Sequence, residues 1–394
     1  MKLNFSFSFI IIVVLCMMTN SNIALAQGTQ LPGPGVTNGQ DAPNTVATAI
    51  PFLRINPDGR TGGLGEAGIA TSPDAGALYH NASKLAFVEQ DMSLGLTYTP
   101  WLTRLVDDIF LAYLSGYKRI DDLQSIGVSL RYFSLGNIQF TDIVGGDAGN
   151  YNPNEFALDL GYARKLSDRM SAGITLKYGR SDLARGQEIS SGNIVKAANV
   201  VAADISVYYQ NPDATFLGNE ATFSWGAAIT NIGNKVSYTE DQTRDFIPIN
   251  LGIGTAIDMQ MDEYNSLMFT FDVNKLMVPT PDPDDPTFAH REKGLLSGMF
   301  GSFGDAPGGF SEEIQELMYS IGAEYWYNDR FAVRVGHFNE HKLKGNRKYI
   351  TAGIGLKYSV FGLNFSYIIP AGSQPSPLDN TLRFQLNFDF GEEG

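Results

Sequence analysis

The segment MSAGITLKYG, residues 170–179, alternates strictly between two kinds of side chain. Met170, Ile174, Leu176 and Tyr178 share one parity, and small or polar residues fill most of the other. Because successive side chains of a β-strand point to opposite faces, the segment is predicted to be a strand with one apolar and one polar face. The same alternation recurs along the chain from Asp91 onward.

This pattern predicts fourteen strands, an even number, with lengths close to those of tilted strands that cross a membrane. They lie near residues 91–98, 107–117, 124–134, 155–164, 169–179, 199–209, 221–230, 247–257, 265–274, 317–326, 330–338, 348–358, 361–369 and 381–390. Charged residues such as Arg131, Asp159 and Lys177 fall on the polar parity. An Arg or Lys facing lipid at mid-depth would cost about 2–4 kcal/mol, so the polar parity is expected to face the interior.

The predicted connections are sorted by length. Those after odd-numbered strands are mostly long, as in 135–154, 180–198 and 275–316. Those after even-numbered strands are mostly short, as in 165–168 and 359–360. A soluble β-sandwich also alternates, but it has no reason to sort its loops in this way. The pattern therefore favours an all-β membrane protein, a fourteen-stranded antiparallel transmembrane β-barrel with its long loops outside the cell.

Residues 1–26 have the organisation of a secretory signal peptide. Lys2 is positive, residues 5–18 are apolar, and Ala24-Leu25-Ala26 has the spacing of a cleavage site, so the mature chain is expected to begin at Gln27. The apolar run is shorter than the roughly 20 residues that a membrane-spanning helix needs. Cys16 is the one cysteine of the sequence and lies in this leader, so no disulfide is expected after cleavage.

The composition narrows the class of protein. The formal net charge is −14 and becomes −15 when Lys2 is removed, which argues against nucleic acid as a partner. The mean hydropathy is −0.10 and aromatic residues make up 12% of the chain, as suits a barrel with one face toward lipid and one toward water. No later segment offers 18 consecutive apolar residues, so helical membrane spans are not expected.

The residues before the predicted barrel fall into two parts. Residues 27–43 are rich in Gly, Pro, Gln and Asn and are predicted to be a flexible lead. Residues 44–90 are apolar and rich in Gly and Ala. Because fourteen strands enclose more space than wall side chains fill, residues 44–90 are predicted to be a plug in the lumen of a barrel formed by residues 91–390.

Three stretches within residues 44–90 carry a resemblance to a known family. They read FLRINPDGR at 52–60, GGLGEAGIATSPDA at 62–75 and LYHNASKLAF at 78–87. Together they resemble the N-terminal signature of the PorV/PorQ family of the type IX secretion system in the Bacteroidota, a distant relative of the FadL channels. The Pro57-Asp58-Gly59-Arg60 version and the chain length favour the PorV branch. Gly59, Leu64 and Ala82-Ser83 depart mildly from the family pattern.

The resemblance implies a FadL-like barrel of the cell outer membrane that transports proteins and is not an enzyme. Family members bind the C-terminal signal domain of secreted cargo as it leaves the translocon barrel. They then deliver the cargo to the sortase PorU and its attachment-complex partners at the cell surface. Two alternatives stay open: a channel for hydrophobic small molecules, and a part in lipopolysaccharide deacylation. Outer-membrane lipid and lipopolysaccharide are therefore also expected partners.

Motifs that could carry chemistry are weak. Residues 63–68 match G-x-G-x-x-G, but an exported barrel is a poor setting for a dinucleotide site, and close packing of a plug explains the glycines better. His337 and His341, with Glu340 between them, are predicted to lie in a solvated polar loop rather than to bind a metal. Residues 282–285 are acidic but lack the rest of a calcium-binding loop. We predict no catalytic residue, no metal and no cofactor.

The loop 275–316 is the most informative segment outside the strands. An acidic, Pro-rich rise at 279–286 precedes several large apolar residues, and Ser311 followed by two glutamates predicts the start of a short helix. Exposed apolar residues on an outer loop usually indicate a partner, although they could instead fold back over the barrel mouth as a lid. With the first outer loop included, the predicted partner-binding residues are Trp101, Leu102, Leu295, Leu296, Met299, Phe300, Phe303 and Phe310.

Overall fold

The computed structural model describes residues 44–101, 108–141, 146–184, 186, 194–239, 244–285, 287–371 and 378–391. The predicted leader 1–26, the predicted lead 27–43 and Leu102 lie outside these described residues. Within them, no helix has both the length and the apolar character needed to cross a membrane.

Fourteen strands form one closed antiparallel barrel, as the alternation predicts. Its strands are β1 (Met92–Pro100), β2 (Ile109–Asp121), β3 (Gln124–Leu135), β6 (Asn154–Ser167), β7 (Met170–Asp182), β8 (Ala198–Phe216), β9 (Asn219–Gly233), β10 (Asn250–Asp262), β11 (Asn265–Leu276), β12 (Met318–Tyr327), β13 (Phe331–Asn339), β14 (Lys348–Tyr358), β15 (Phe361–Pro370) and β16 (Leu382–Phe390). The first and last strands close the barrel, with Met92 opposite Phe390 and Tyr98 opposite Phe384. Two further strands, β4 (Ile138–Thr141) and β5 (Asp147–Tyr151), pair only with each other.

The two parities point as predicted. Leu130 and Leu160 are exposed on the outer wall, whereas their neighbours Ser129 and Asp159 are buried on the inner side. Arg131, Lys177 and the other charged residues at mid-strand lie inside as well, as the cost of facing lipid requires. The apolar belt therefore faces outward, and the polar face lines the lumen.

The two ends of the barrel differ. One end, here called the short-turn end, has the tight connections between β2 and β3, β6 and β7, β8 and β9, and the hairpins that follow. The other, the long-loop end, carries the long connections, including residues 277–317 between β11 and β12. The predicted sorting of loops by length is confirmed.

Three local features differ from the prediction. Strands β8 and β9 extend past the polar segment near Pro212 to a turn at Leu217 and Gly218, because a register shift between Asn211 and Ala214 absorbs the proline. Strand β10 begins at Asn250 rather than at 247, since Ile247 and Ile249 are buried in the apolar cluster at the long-loop end. The hairpin of β4 and β5 was not predicted.

Residues 44–90 run from the long-loop end to the short-turn end. At the start, the Asn44 amide donates to the Leu343 carbonyl and the Ala49 amide donates to the Phe246 carbonyl, both on long-loop connections. The segment contains a 3-10 turn Pro51–Arg54, helices α1 (Gly59–Gly62) and α2 (Ala77–His80), and a 3-10 turn Ala82–Phe87. It contacts inward-facing side chains of the wall and enters β1 at Met92, so it occupies the lumen as a plug.

Candidate functional site

The connection 277–317 folds into defined elements. It contains a 3-10 turn Ala289–Glu292 and two helices, α3 (Leu295–Gly301) and α4 (Phe310–Gln315). The predicted short helix is present, but it begins at Phe310 and not after a Ser311 cap. Gly309 precedes it with a φ of 67°, and the Ser311 hydroxyl donates backward to the Gly308 carbonyl at 3.2 Å. A glycine supplies the backbone turn here, because a positive φ strains other residues.

One face of α3 packs onto the barrel mouth. Met299 is buried in a cluster that also contains Phe246, Ile247 and Met277. At Gly298, a Cβ atom would lie 2.6 Å from the Phe246 ring, so only glycine allows this approach. The connection therefore folds back over the mouth, as the lid alternative expects for this face.

The opposite face of α3 is open to solvent. Leu296 and Phe300 are 63% and 64% exposed. Residues four apart on a helix share a face, so the two side chains form one apolar surface, here called the α3 face. Because Gly298 and Met299 fix the helix on its other side, the α3 face is presented on a fixed support.

Helix α4 lies against the outer wall of the barrel. Lys275 on β11 pairs with Glu313 at 3.1 Å and with Glu316, and its ammonium lies 5.7 Å from the centre of the Phe303 ring. Lys275 shares the outward parity of Phe271 and Val273, yet it is buried under these groups. The predicted strand ended at 274, so the sequence analysis missed Lys275, although a lysine on the lipid parity is a signal for such a contact.

The eight predicted partner-binding residues are not all available. Leu296, Phe300, Phe303 and Phe310 are exposed, and Leu295 is half-buried. Met299 and Trp101 are buried, Trp101 against Phe133 with ring centres 5.4 Å apart. Their side chains support the fold of the mouth in this structure, so the exposed residues alone can offer apolar surface to a partner.

The predicted polar loop after β13 is not simply solvated. Lys344 is buried and pairs with Glu312 at 2.5 Å and with Glu316 at 3.0 Å. Asn44, where the plug begins, also donates to Glu312 at 2.9 Å. The plug, the 277–317 connection and the 340–347 connection meet at this corner and bury Lys344. Because a buried charge requires a partner, the charged residues here form ion pairs instead of facing solvent.

Glu340 belongs to the same corner. Its carboxylate accepts from Arg347 at 2.7 Å and from Arg54 at 3.4 Å. Burial alone would raise the pKa of Glu340, but the two guanidinium groups outweigh burial and hold that pKa below its usual value. Glu340, which lies between His337 and His341 in the sequence, thus forms an ion pair with the plug.

Inside the lumen, buried ion pairs join the plug to the wall. Glu324 on β12 accepts from Arg60 of the plug at 2.7 Å and from Arg334 on β13 at 2.5 Å. Arg60 also pairs with Asp74 at 3.0 Å, which ties two parts of the plug together. Arg383 on β16 pairs with Glu66 at 3.1 Å. These charges have left water, so each depends on its partner.

A second polar cluster lies on the opposite wall. Asp159 accepts from Ser129 at 2.8 Å and pairs with Arg131 at 3.4 Å, and Arg131 also donates to the Leu53 carbonyl at 3.2 Å. Lys177 pairs with Asp204 at 3.2 Å. Cavities of about 110 and 350 Å³ remain between plug and wall, the larger near the short-turn end. Their linings contain charged, amide and aromatic side chains and do not form a continuous apolar channel.

The glycine-rich motif of residues 63–68 packs against the wall. Gly65 has a φ of 66°, its amide donates to Thr351 at 2.8 Å, and a Cβ there would meet the backbone of His337. The amides of Gly68 and Ile69 donate to Asp272 at 2.7 and 3.0 Å. The close-packing interpretation of these glycines fits this geometry.

One trio in the plug has the residue types of a catalytic relay. His80 Nε2 lies 3.0 Å from the Thr61 hydroxyl, which donates to Asp58 at 2.7 Å. The aspartate contacts the threonine rather than the histidine, and it also accepts from the Thr61 amide as the cap of α1. A relay needs the carboxylate on the histidine, so the trio is a helix cap.

Comparison with known proteins gives two kinds of match. A family model described as "Type IX secretion system protein PorV" matches residues 38–283. No curated protein matches the sequence significantly.

Several solved structures have a similar fold. A TodX deltaS2S3 mutant, a monoaromatic hydrocarbon channel, is 12% identical with a TM-score of 0.50, over 84% of this chain and 96% of that one. The Ralstonia pickettii toluene transporter TbuX is 12% identical with a TM-score of 0.46, over 85% and 98%. A Pseudomonas aeruginosa FadL homologue is 10% identical with a TM-score of 0.45, over 89% and 100%. At these identities the TodX match shows a shared barrel fold alone.

Proposed function

We propose that this chain, which belongs to the PorV family of type IX secretion system proteins, is a cargo-binding shuttle of the outer membrane. Its long-loop end faces the outside of the cell. There it receives secreted proteins from the translocon barrel through their C-terminal signal domains and delivers them to the sortase PorU and its attachment-complex partners. The family and the FadL-like barrel support an outer-membrane protein of this secretion system, and the shuttle role is the proposal.

The observation that carries the proposal is the α3 face. Leu296 and Phe300 are large, apolar and exposed at the long-loop end, on a helix whose other face is packed. Aromatic residues such as phenylalanine are enriched at the centre of interfaces, where a few well-packed residues contribute most of the binding energy, and a fixed support reduces the entropy lost on binding. The α3 face therefore supplies the cargo anchors in our proposal.

The alternative of a channel for hydrophobic small molecules shares the fold but has less support. The plug is joined to the wall by Arg60, Glu66 and Arg131, and opening a path would break several buried pairs. The PorV family is described as a secretion system protein family and not as an enzyme family. We therefore propose no catalysis by this chain, including the deacylation of lipopolysaccharide.

The test replaces Leu296 and Phe300 together with Ser and purifies the barrel from the native outer membrane. The variant is expected to insert and to stay heat-modifiable, but to lose co-purifying cargo and its surface display. The matched control is Leu217→Ser, which removes a leucine that is even more exposed, at the short-turn end. Full retention of cargo by the double variant would contradict the proposal.

A further inference from the structure

An apolar groove lies on the outside of the barrel wall, below α4. Its volume is about 300 Å³. Its apolar lining comes from two sources, the outward side of β10 and β11 and the 277–317 connection. These residues are Leu251, Ile253, Val273, Phe303, Phe310, Ile314 and Leu317.

The strand side of the groove continues the lipid-facing surface. Ile253 is half exposed and lies opposite Val273 in the ladder of β10 and β11. Val273 follows Phe271 and Phe269 on the outward parity of β11, and both phenylalanines are exposed. The groove is thus open to the surface that faces hydrocarbon along the rest of these strands.

The helix side is fixed and apolar. Phe310 is 79% exposed and Ile314 is 47% exposed, and residues four apart share one face of α4. The pairs of Lys275 with Glu313 and Glu316 hold the helix against the wall, so this face stays beside the groove.

The height of the groove on the barrel follows from the strand register. Val273 lies opposite Tyr319 on β12. Tyr319 stands one residue from the long-loop end of its strand, as Tyr98, Tyr132 and Tyr178 stand near the same end of theirs. Outward tyrosines at strand ends form the aromatic belt at the boundary between hydrocarbon and headgroups. The groove and α4 therefore lie at the outer boundary of the membrane.

We propose that the groove binds one acyl chain of an outer-leaflet lipid, and that Phe310 and Ile314 are immersed in that leaflet. We infer an acyl chain as the occupant because the groove is continuous with the lipid-facing wall. An acyl chain of the surrounding membrane can enter the groove without leaving hydrocarbon. The carboxylates nearest the groove are paired with Lys275, so the space offers an apolar ligand no unpaired charge. Phe310 therefore faces lipid and is not part of the α3 face. The lipid proposal and the cargo proposal do not depend on each other.

Immersion is tested with spin labels, one site at a time. The mature chain is expected to lack cysteine, so Phe310→Cys, Ile314→Cys, Leu130→Cys and Leu296→Cys each carry a single nitroxide in vesicles of phosphatidylethanolamine and phosphatidylglycerol. Labels at 310 and 314 should collide with oxygen and be protected from a soluble nickel chelate, as at 130. The label at 296 should show the opposite. A label at 310 that meets nickel as readily as 296 overturns the immersion.

Occupancy of the groove is tested with phosphatidylethanolamine that carries a diazirine on its acyl chain. After irradiation, adducts are expected on peptides that contain Ile253 and Ile314. In Val273→Trp, which fills the groove, these adducts should be lost while those at Leu130 remain. Adducts at Leu130 without any at the groove, or groove adducts that persist undiminished in Val273→Trp, overturn the lipid assignment. Heat-modifiability confirms that the variant is folded.

Discussion

Glu324→Gln tests whether buried charge holds the plug in the barrel. Glu324 is almost fully buried and serves Arg60 of the plug and Arg334 of the wall. Removing one partner of a buried ion pair typically costs about 3–5 kcal/mol, because the remaining charge is left without compensation. Arg60 keeps Asp74, and Arg334 keeps Asn364 at 2.8 Å, so the lower end of that range is expected.

The expected cost of about 3 kcal/mol corresponds to a shift of roughly a hundredfold in the equilibrium between a seated and a released plug. The free energy of unfolding should fall by this amount in urea titrations of the barrel in lipid. In planar bilayers, openings of the lumen should become correspondingly more frequent than in the wild type.

The matched control is Glu263→Gln, on an exposed turn between β10 and β11, which should change the free energy of unfolding by less than about 0.5 kcal/mol. Adding Arg334→Met to Glu324→Gln should restore part of the loss, since Arg334 has no carboxylate partner once Glu324 is neutral and methionine removes that uncompensated charge. A Glu324→Gln barrel that matches the control in both assays would refute the reasoning, since the buried pairs would then not hold the plug.

Three further outcomes are expected. Because Leu160 faces lipid, Leu160→Arg should destabilise the barrel by about 2–4 kcal/mol in folding and heat-modifiability assays, whereas Leu160→Phe should be tolerated. Equal behaviour of the two variants would mean that this strand face does not contact lipid. Gly65→Ala should lower the thermal midpoint far more than Gly149→Ala. Both glycines have a positive φ, but only at Gly65 would the new Cβ atom clash with backbone atoms. Similar losses in the two variants would mean that backbone strain explains the whole effect and the close packing explains none. Despite burial, Arg347 and Arg54 hold the pKa of folded Glu340 below its unfolded value. The stabilisation by these ion pairs should therefore be present above about pH 4.3 and lost as the pH falls through the folded pKa. If the Glu340→Gln variant keeps the same pH dependence of unfolding, the ion pairs do not contribute.

The barrel could be predicted because period-two alternation fixes both the strand and the face of each residue. Leu130 and Asp159 therefore lie where the sequence places them. The plug could be located from its glycines, but its partners could not, since Arg60 and Glu324 are 264 positions apart in the chain. Pairings at that distance depend on how the chain closes in three dimensions.

The candidate site was predicted less well. The apolar residues of the 277–317 connection were found by residue type, but their faces were not, because short helices in a long connection give too few residues for periodicity to decide. Met299 therefore proved to be buried and Leu296 exposed. Trp101 packs against Phe133, on a strand that the sequence does not link to it.

Photo-crosslinking from the α3 face in intact cells tests the shuttle most directly. A benzoylphenylalanine placed at Phe300 should give an adduct with the C-terminal signal domain of a secreted protein, and the same probe at Leu217 on the short-turn end should give none. Normal surface display of cargo without a cargo adduct at position 300, or adducts to the translocon barrel alone, would contradict the account.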